Sequence, residues 1–336
     1  MLLYALVGYN FLKPGWGTVE GKCMKLNPRP VDLENDTDLL RDFLTGRQYW
    51  QSLPPYWNSG KSRMALYLTM YEGKDTSHIL WEDEAGTIHG YTYLSPDIKT
   101  PIYSTPELRE WRVLLHPEHR TKERVGRLIE DAEARLNTRA STHLLQTVAY
   151  ESDLEMQEWL AEHHYSKTKE GEVYMTRSLS EPIASPVVPD GFVIRPFAGR
   201  HELRTRASLT DSAFGGFEGP GEWSLNDVGR MILFCDAIKA IDFVVATTEG
   251  RLVSSAICFF DTVTKLGEFD PVGTHQDFQR QGLAKAVLLT GLHWLKGTGM
   301  ETAVIRTDHD NVAAKATYQS IGYKIVERLW HYEKQS

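Results

Sequence analysis

Two carboxylates, Glu268 and Asp270, lie two residues apart in EFDPVGT, a segment that reads as a strand, so both side chains face one side of it. Mutual repulsion raises the pKa of one member of such a pair, which suits a general base working near neutral pH. The plainer reading is a pair of solvated or salt-bridged surface acids, and the residue types leave both open. The strand runs on through Val272 and Gly273 to Thr274, and a short polar loop leads to Gln279-Arg280-Gln281-Gly282-Leu283-Ala284. An apolar-periodic helix, AKAVLLTGLHWL, follows and stops at Lys296-Gly297. The first amides of such a helix have no partner inside it and carry the positive end of its dipole. Gly282 removes a side chain where those amides would face a ligand, and Ala284 keeps the next turn small. A pyrophosphate suits that place. Arg280 either adds a charge or points to solvent. The Gly-x-Gly-x-x-Gly fingerprint is absent and no Gly-Lys-Ser/Thr follows, which excludes a standard dinucleotide fold or P-loop reading.

Other reactive residue types carry less. His275 and His309 flank loops near this segment but lack matched carboxylate or cysteine spacing, so no metal is expected. Cys258 sits in an apolar strand and reads as inert core. Trp111 and Trp159 read as core, and His293 and Trp294 as packing or surface residues of their helix. Tyr49, Trp50, Tyr56 and Trp57 form an aromatic cluster that either packs a helical region or lines a substrate pocket.

The chain that must position these residues has 336 residues, 41% hydrophobic and 11% aromatic, enough for two globular domains and incompatible with a mainly disordered chain. A net charge of −8 argues against a phosphate-backbone binder, so no nucleic acid is expected. No stretch reaches the roughly 20 apolar residues of a membrane span. Cys23, Cys235 and Cys258 show no paired spacing, which suits a reducing, cytoplasmic setting. Residues 1–23 read as an N-terminal extension or arm, with the compact fold starting at Met24. The proline-rich LSEPIASPVVPD, residues 179–190, reads as a linker between 24–178 and 191–336.

On each side of that linker the same order recurs. In the second half, strands are expected over 192–197, 241–247, 252–260, 266–274, 303–306 and 323–332, with helices within about 200–239 and over 283–296 and 311–320. In the first, strands are expected over 25–33, 78–82, 88–94, 111–115, 143–149 and 172–175, with helices over 35–70, 122–137 and 153–163. Hairpins mixed with strand–helix–strand crossovers predict an α/β (α+β) chain whose halves are each a mixed, mostly antiparallel sheet with helices on both faces.

The residues also resemble a family. Gln279 to Ala284 after a strand matches the Arg/Gln-x-x-Gly-x-Gly/Ala pyrophosphate signature of the GNAT acetyltransferases. DHDNVAAKATYQSIGY, residues 308–323, is similar to the second signature of that superfamily: an Asn opening a helix, a Tyr seven residues later, and a Gly-aromatic pair. The signatures cover 266–326 closely, while the rest of the second half and all of the first fit by element order, so the whole resembles a tandem GNAT protein. That resemblance implies acetyl-CoA as co-substrate and an amine acceptor, a small molecule or peptide. It implies that Val272, Gly273 and Thr274 meet the acetyl and pantetheine arm, and that Gln281, Gly282, Leu283 and Ala284, with Gln279 and Arg280, hold the pyrophosphate. Tyr318 would protonate the leaving thiolate, against a plain packing role. Glu268 would be the base, directly or through water, with Asp270 its rival. Asn311 would bind cofactor or simply cap its helix. A monomer or homodimer is expected.

The first half departs from the pattern. HPEHRTKERVGRLI resembles the approach to the signature, yet the two small positions hold Glu123 and Val125, and the places matching Tyr318 and Asn311 hold Leu160 and Asp153. A carboxylate and bulky side chains at a phosphate cradle repel and block the ligand. This half reads as a degenerate copy that supports the fold or shapes the acceptor site. The reading is therefore an acetyl-CoA-dependent N-acetyltransferase with its site in the second half; the alternative is a non-catalytic acyl-CoA sensor or scaffold.

Overall fold

The computed structural model describes residues 25–32, 35–36, 39–40, 43, 78–95, 108–137, 144–214, 229, 240–262 and 264–335. Expectations for residues 1–23, for most of the helical stretches within 35–70 and 200–239, and for Tyr49, Trp50, Tyr56 and Trp57 lie outside these.

The first half supplies strands β1 (Asn27–Pro30), β2 (His78–Glu82), β3 (Ile88–Leu94), β4 (Leu108–Leu115), β5 (Leu144–Tyr150) and β6 (Ser166–Ser178), with helices α1 (Lys122–Asn137) and α2 (Leu154–Glu162). The second supplies β7 (Phe192–Pro196), β8 (Ile241–Thr247), β9 (Leu252–Asp261), β10 (Leu266–Thr274), β11 (Thr302–Asp308) and β12 (Lys324–Gln335), with α3 (Leu203–Phe214), α4 (Leu283–Gly297) and α5 (Val312–Gln319). Each half runs as an antiparallel meander of four strands and then crosses over through a helix to a parallel neighbour, β4 to β5 and β10 to β11. A second helix then leads to a last strand. The mixed sheet with strand and helix order repeated in each half is as expected.

The last strands hold what the order alone does not contain. Among the described residues the twelve strands form one sheet in the order β1-β2-β3-β4-β5-β12-β6-β11-β10-β9-β8-β7. β6 of the first half lies antiparallel between β11 and β12 of the second, while β12 pairs in turn with β5. Pairing with β12 accounts for the length of β6, which begins at Ser166 rather than 172: its polar start, SKTKEG, lies beyond the part paired with β11 and is held by backbone bonds to β12 rather than by apolar periodicity.

Packing on the sheet fixes α4 beside the candidate segment. Its apolar stripe, Leu283, Val287, Leu288, Leu292 and Leu295, packs with Phe269, Cys258 and Ile305 in the core of the second half. Each such side chain contributes roughly 1.5–3 kcal/mol when fully buried. Burial pushes the Cys258 thiol well up, so it stays a protonated core residue. α3 packs on the opposite face, where Ala213 and Phe214 lie against the bare Cα of Gly273. Trp111 and Trp159 are buried in the core of the first half, where the Trp111 Nε1 donates to the Tyr165 hydroxyl at 2.8 Å.

Candidate functional site

β10 and β11 are partners for four residues only, Leu266–Phe269 against Thr302–Ile305. Between Phe269 and Val272, β10 carries one more residue than β9 opposite it, a bulge that includes Pro271, which has no N–H for a ladder. Past the bulge β10 follows β9 and β11 follows β6, so the two strands part. The extra residue also switches alternation: Glu268 and, beyond the bulge, Gly273 face α3, while Phe269 and Val272 face the α4 side. With no Cβ, Gly273 lets the end of α3 close over the strand; an added Cβ would stand 2.8 Å from that of Ala213. Ser254 holds this edge by donating to the Gly273 carbonyl at 3.0 Å.

After Thr274, His275 caps a 3-10 turn, Gln276–Phe278, its Nδ1 accepting from the Asp277 amide at 3.2 Å. The chain then enters α4 through Arg280 at φ +59° and Gly282 at φ +80°. Gly282 is the N-cap, no side chain caps the first turn, and a Cβ there would meet nothing within 4 Å. The opening amides of α4 therefore face open space with the positive end of the dipole behind them, an arrangement that fits a pyrophosphate.

A cavity of about 340 Å³ joins these features. Of the expected residues, Val272, Gly273, Thr274, Gln279, Arg280, Gly282, Leu283, Ala284, Asn311 and Tyr318 line it; Gln281, Glu268 and Asp270 do not. Phe214, Phe278, Lys285 and Thr317 also line it and were missed. Lys285, one residue past Ala284, had a readable signal, a cation in the first turn; Phe214 had none, since only tertiary packing brings α3 to β10. Asn311 caps α5, its Oδ1 accepting from the Ala314 amide at 3.0 Å, and lines the cavity as well. Tyr318 is 6% exposed; burial, and secondarily the negative charge of Asp270, push its hydroxyl up to about 12. It stays protonated at neutral pH and can give a proton.

Glu268 is 2% exposed, so it is not a solvated surface acid, while the Asp270 side chain is 38% exposed; the salt-bridged part of the plainer reading stays open for both. Arg306, on β11, stands 3.8 Å from each. Sequence reasoning missed this arginine, which has no motif around it.

The first half repeats the entrance and closes it. His116 caps the 3-10 turn Pro117–His119, its Nδ1 accepting from the Glu118 amide at 3.1 Å. The next residue, Arg120, occupies the place of Gln279, and Asp153 that of Asn311. Here the two are joined by hydrogen bonds of 2.6 and 2.8 Å. α1 starts at Lys122 with no left-handed turn, and Leu160 is fully buried. His116, Glu118 and His119 converge with ligand atoms within 4.8 Å, but the Glu118 amide and Arg124 already donate to the two Nδ1 atoms.

Residues 214–323 match the acetyltransferase (GNAT) family. A mycothiol acetyltransferase of Frankia casuarinae is 26% identical over 286 residues, 78% of this chain and 77% of that protein. One from Nocardia farcinica is 29% identical over 154 residues, 44% of this chain and 51% of its own length; the chain spans about half the length of several such relatives. In structure the chain resembles a tandem GNAT protein from the clavulanic acid biosynthesis pathway, with a TM-score of 0.71, 13% identity and coverage of 93% and 98%. That likeness concerns the fold.

Proposed function

Residues 214–323 are a GNAT acetyltransferase domain, and on that premise we propose that the chain is an acetyl-CoA-dependent N-acetyltransferase acting on a primary amine in a ternary complex. One observation carries the reading: the gap between β10 and β11 runs into the uncapped Gly282 turn, with Tyr318 on the wall of the same cavity. The opening amides of α4, flanked by Gln279, Arg280 and Gln281, bind the pyrophosphate. The parted edge at Val272, Gly273 and Thr274 offers backbone amides to the acetyl carbonyl and the pantetheine arm. When bound, the thioester supplies the acetyl group and a thiolate leaving group. Glu268 takes the proton of the attacking ammonium, directly or through water, with Asp270 as the rival base; the Tyr318 Oη gives its proton to the departing sulfur.

Incubation with acetyl-CoA, a library of amines and a thiol-detecting dye tests the proposal. The name of the relatives puts mycothiol-type amines in that library beside polyamines, amino acid derivatives and aminoglycosides. Amine-dependent thiol release is the expected result. Tight CoA binding with no release for any amine would favour a sensor or scaffold.

A further inference from the structure

Arg306 follows Ile305, the last residue of β11 paired with β10, so it stands where the strands part. Ile305 packs in the α4 core, which puts Arg306 on the opposite face, with Glu268 and Asp270. The guanidinium, 28% exposed, donates through Nη1 to Glu172 at 3.1 Å and lies 3.8 Å from each of the other two carboxylates. Glu172 belongs to β6, the strand that the first half inserts into the second, as does Tyr174, whose ring centre is 5.7 Å from the guanidinium carbon. The hydrogen bond to Glu172 fixes the arginine at one end. At 3.8 Å the others are drawn by charge rather than by hydrogen bonds from Arg306, so that arginine does not consume the lone pairs that would accept a proton. Three carboxylates against one guanidinium leave an excess of negative charge beside the gap, which favours an ammonium.

We propose that Arg306, anchored by Glu172, is a positioning residue that orients Glu268 and Asp270 at the parting of β10 and β11, so that the first half completes the acceptor side of the site in the second. The inference rests on the acetyltransferase reading above. The titratable and charged groups facing this cluster among the described residues include Glu172 and Tyr174 on β6, Glu268 and Asp270 on β10, Tyr318 on α5, which feels Asp270, Tyr323, which feels Glu268 and Arg177, and His331 on β12, which feels Glu172.

Three variants separate positioning from packing. Arg306→Met removes the charge and keeps the length, Arg306→Lys keeps the charge without the fork, and Glu172→Gln removes the negative charge that competes with β10 for the arginine. Carboxyl NMR titration of Glu268 and Asp270 needs no turnover. The Met variant should move their midpoints up by about 1 unit, the Gln variant should move them down, and Lys should lie near wild type. The acid limb of kcat/KM should move in the same directions, with CoA affinity changed less than about twofold, a difference under 0.5 kcal/mol. Unmoved midpoints in a folded Met variant overturn the inference, and so do moved midpoints with an unmoved acid limb. If Arg306→Met fails to fold, Glu172→Gln decides by its opposite sign. A wild-type protein that binds CoA and turns over no amine sinks the acetyltransferase reading, while the titration still decides whether Arg306 governs the pair.

Discussion

Gly282 meets two demands at once, a φ of +80° and a Cβ direction open to a ligand. Any other residue there costs about 1–2 kcal/mol in the left-handed region. A carboxylate at an uncapped helix N-terminus returns about 0.3–1 kcal/mol, so Gly282→Glu should fold, with its melting temperature within a few degrees of wild type. Its charge would then occupy the amides proposed to hold the pyrophosphate. We expect the CoA Kd to rise at least about tenfold, and Gly282→Ala, strained but neutral, to lose less. Calorimetry that finds unchanged affinity in a folded Glu variant removes the cradle from the proposal. Tyr318→Phe deletes one oxygen and leaves the ring. If that hydroxyl is the acid, kcat should fall about 10²-fold with little change in KM. The hydroxyl also leaves a mark on stability. Its folded value of about 12 lies above the ordinary 10, so the unfolded chain loses the proton first, and the stabilising term is intact below pH 10 and lost as pH rises toward 12. Denaturant titrations at pH 9 and 11 should show wild type losing more stability than the Phe variant over that range. Equal losses, with full kcat in the Phe variant, would leave Tyr318 as a packing residue.

At the scale of elements, two copies of one entrance, strand to capped 3-10 turn to helix, differ in how the helix begins. In the second half a left-handed glycine opens the amides of α4; in the first, Arg120 and Asp153 tie the matching positions together, and Asp153 also caps α2 by accepting from the Met156 amide at 3.1 Å. Asp153→Ala loses a cap worth about 1 kcal/mol and a partly buried ion pair of similar worth, so it should cost about 2 kcal/mol. It should not create a second cradle, because α1 still begins without the glycine turn. Calorimetry should give one CoA per chain for wild type and variant alike, and two per chain in either would show that the first half binds. These entrances were readable from sequence because cradle chemistry falls on consecutive positions: Gly282 and Ala284 on one side, Glu123 and Val125 on the other. The bulge was half readable, as a proline inside a strand. The Arg306 cluster was not, since its members come from three strands and Glu172 lies 134 residues from Arg306. Nor was the exchange of β6 and β12, because a strand's sequence records which face is apolar and not which neighbour it pairs with.

For the whole molecule, that exchange makes the halves interdependent even though each carries a full set of elements. β6 pairs with β11 along Thr302–Asp308 and with β12 on its other edge. A chain of residues 191–336 alone would leave both strands with bare edges flanking an empty place, and such edges pair with other chains or slip in register. It would also lack Glu172, and with it the anchor of Arg306. We therefore expect 191–336 expressed alone to aggregate or to unfold without a cooperative transition, and to bind CoA poorly. Residues 1–178, made in the same cells, should copurify with it and restore both a cooperative melt and CoA binding, because the two pieces rebuild the order β5-β12-β6-β11 without a covalent link. Size-exclusion chromatography, circular dichroism and calorimetry on the single and paired pieces decide the matter. An isolated 191–336 that melts cooperatively as a monomer and binds CoA as the full chain does would mean that β11 and β12 can close on each other. The interleaving would then be dispensable for folding and cofactor binding, and any contribution of the first half would be confined to the acceptor side, through Glu172.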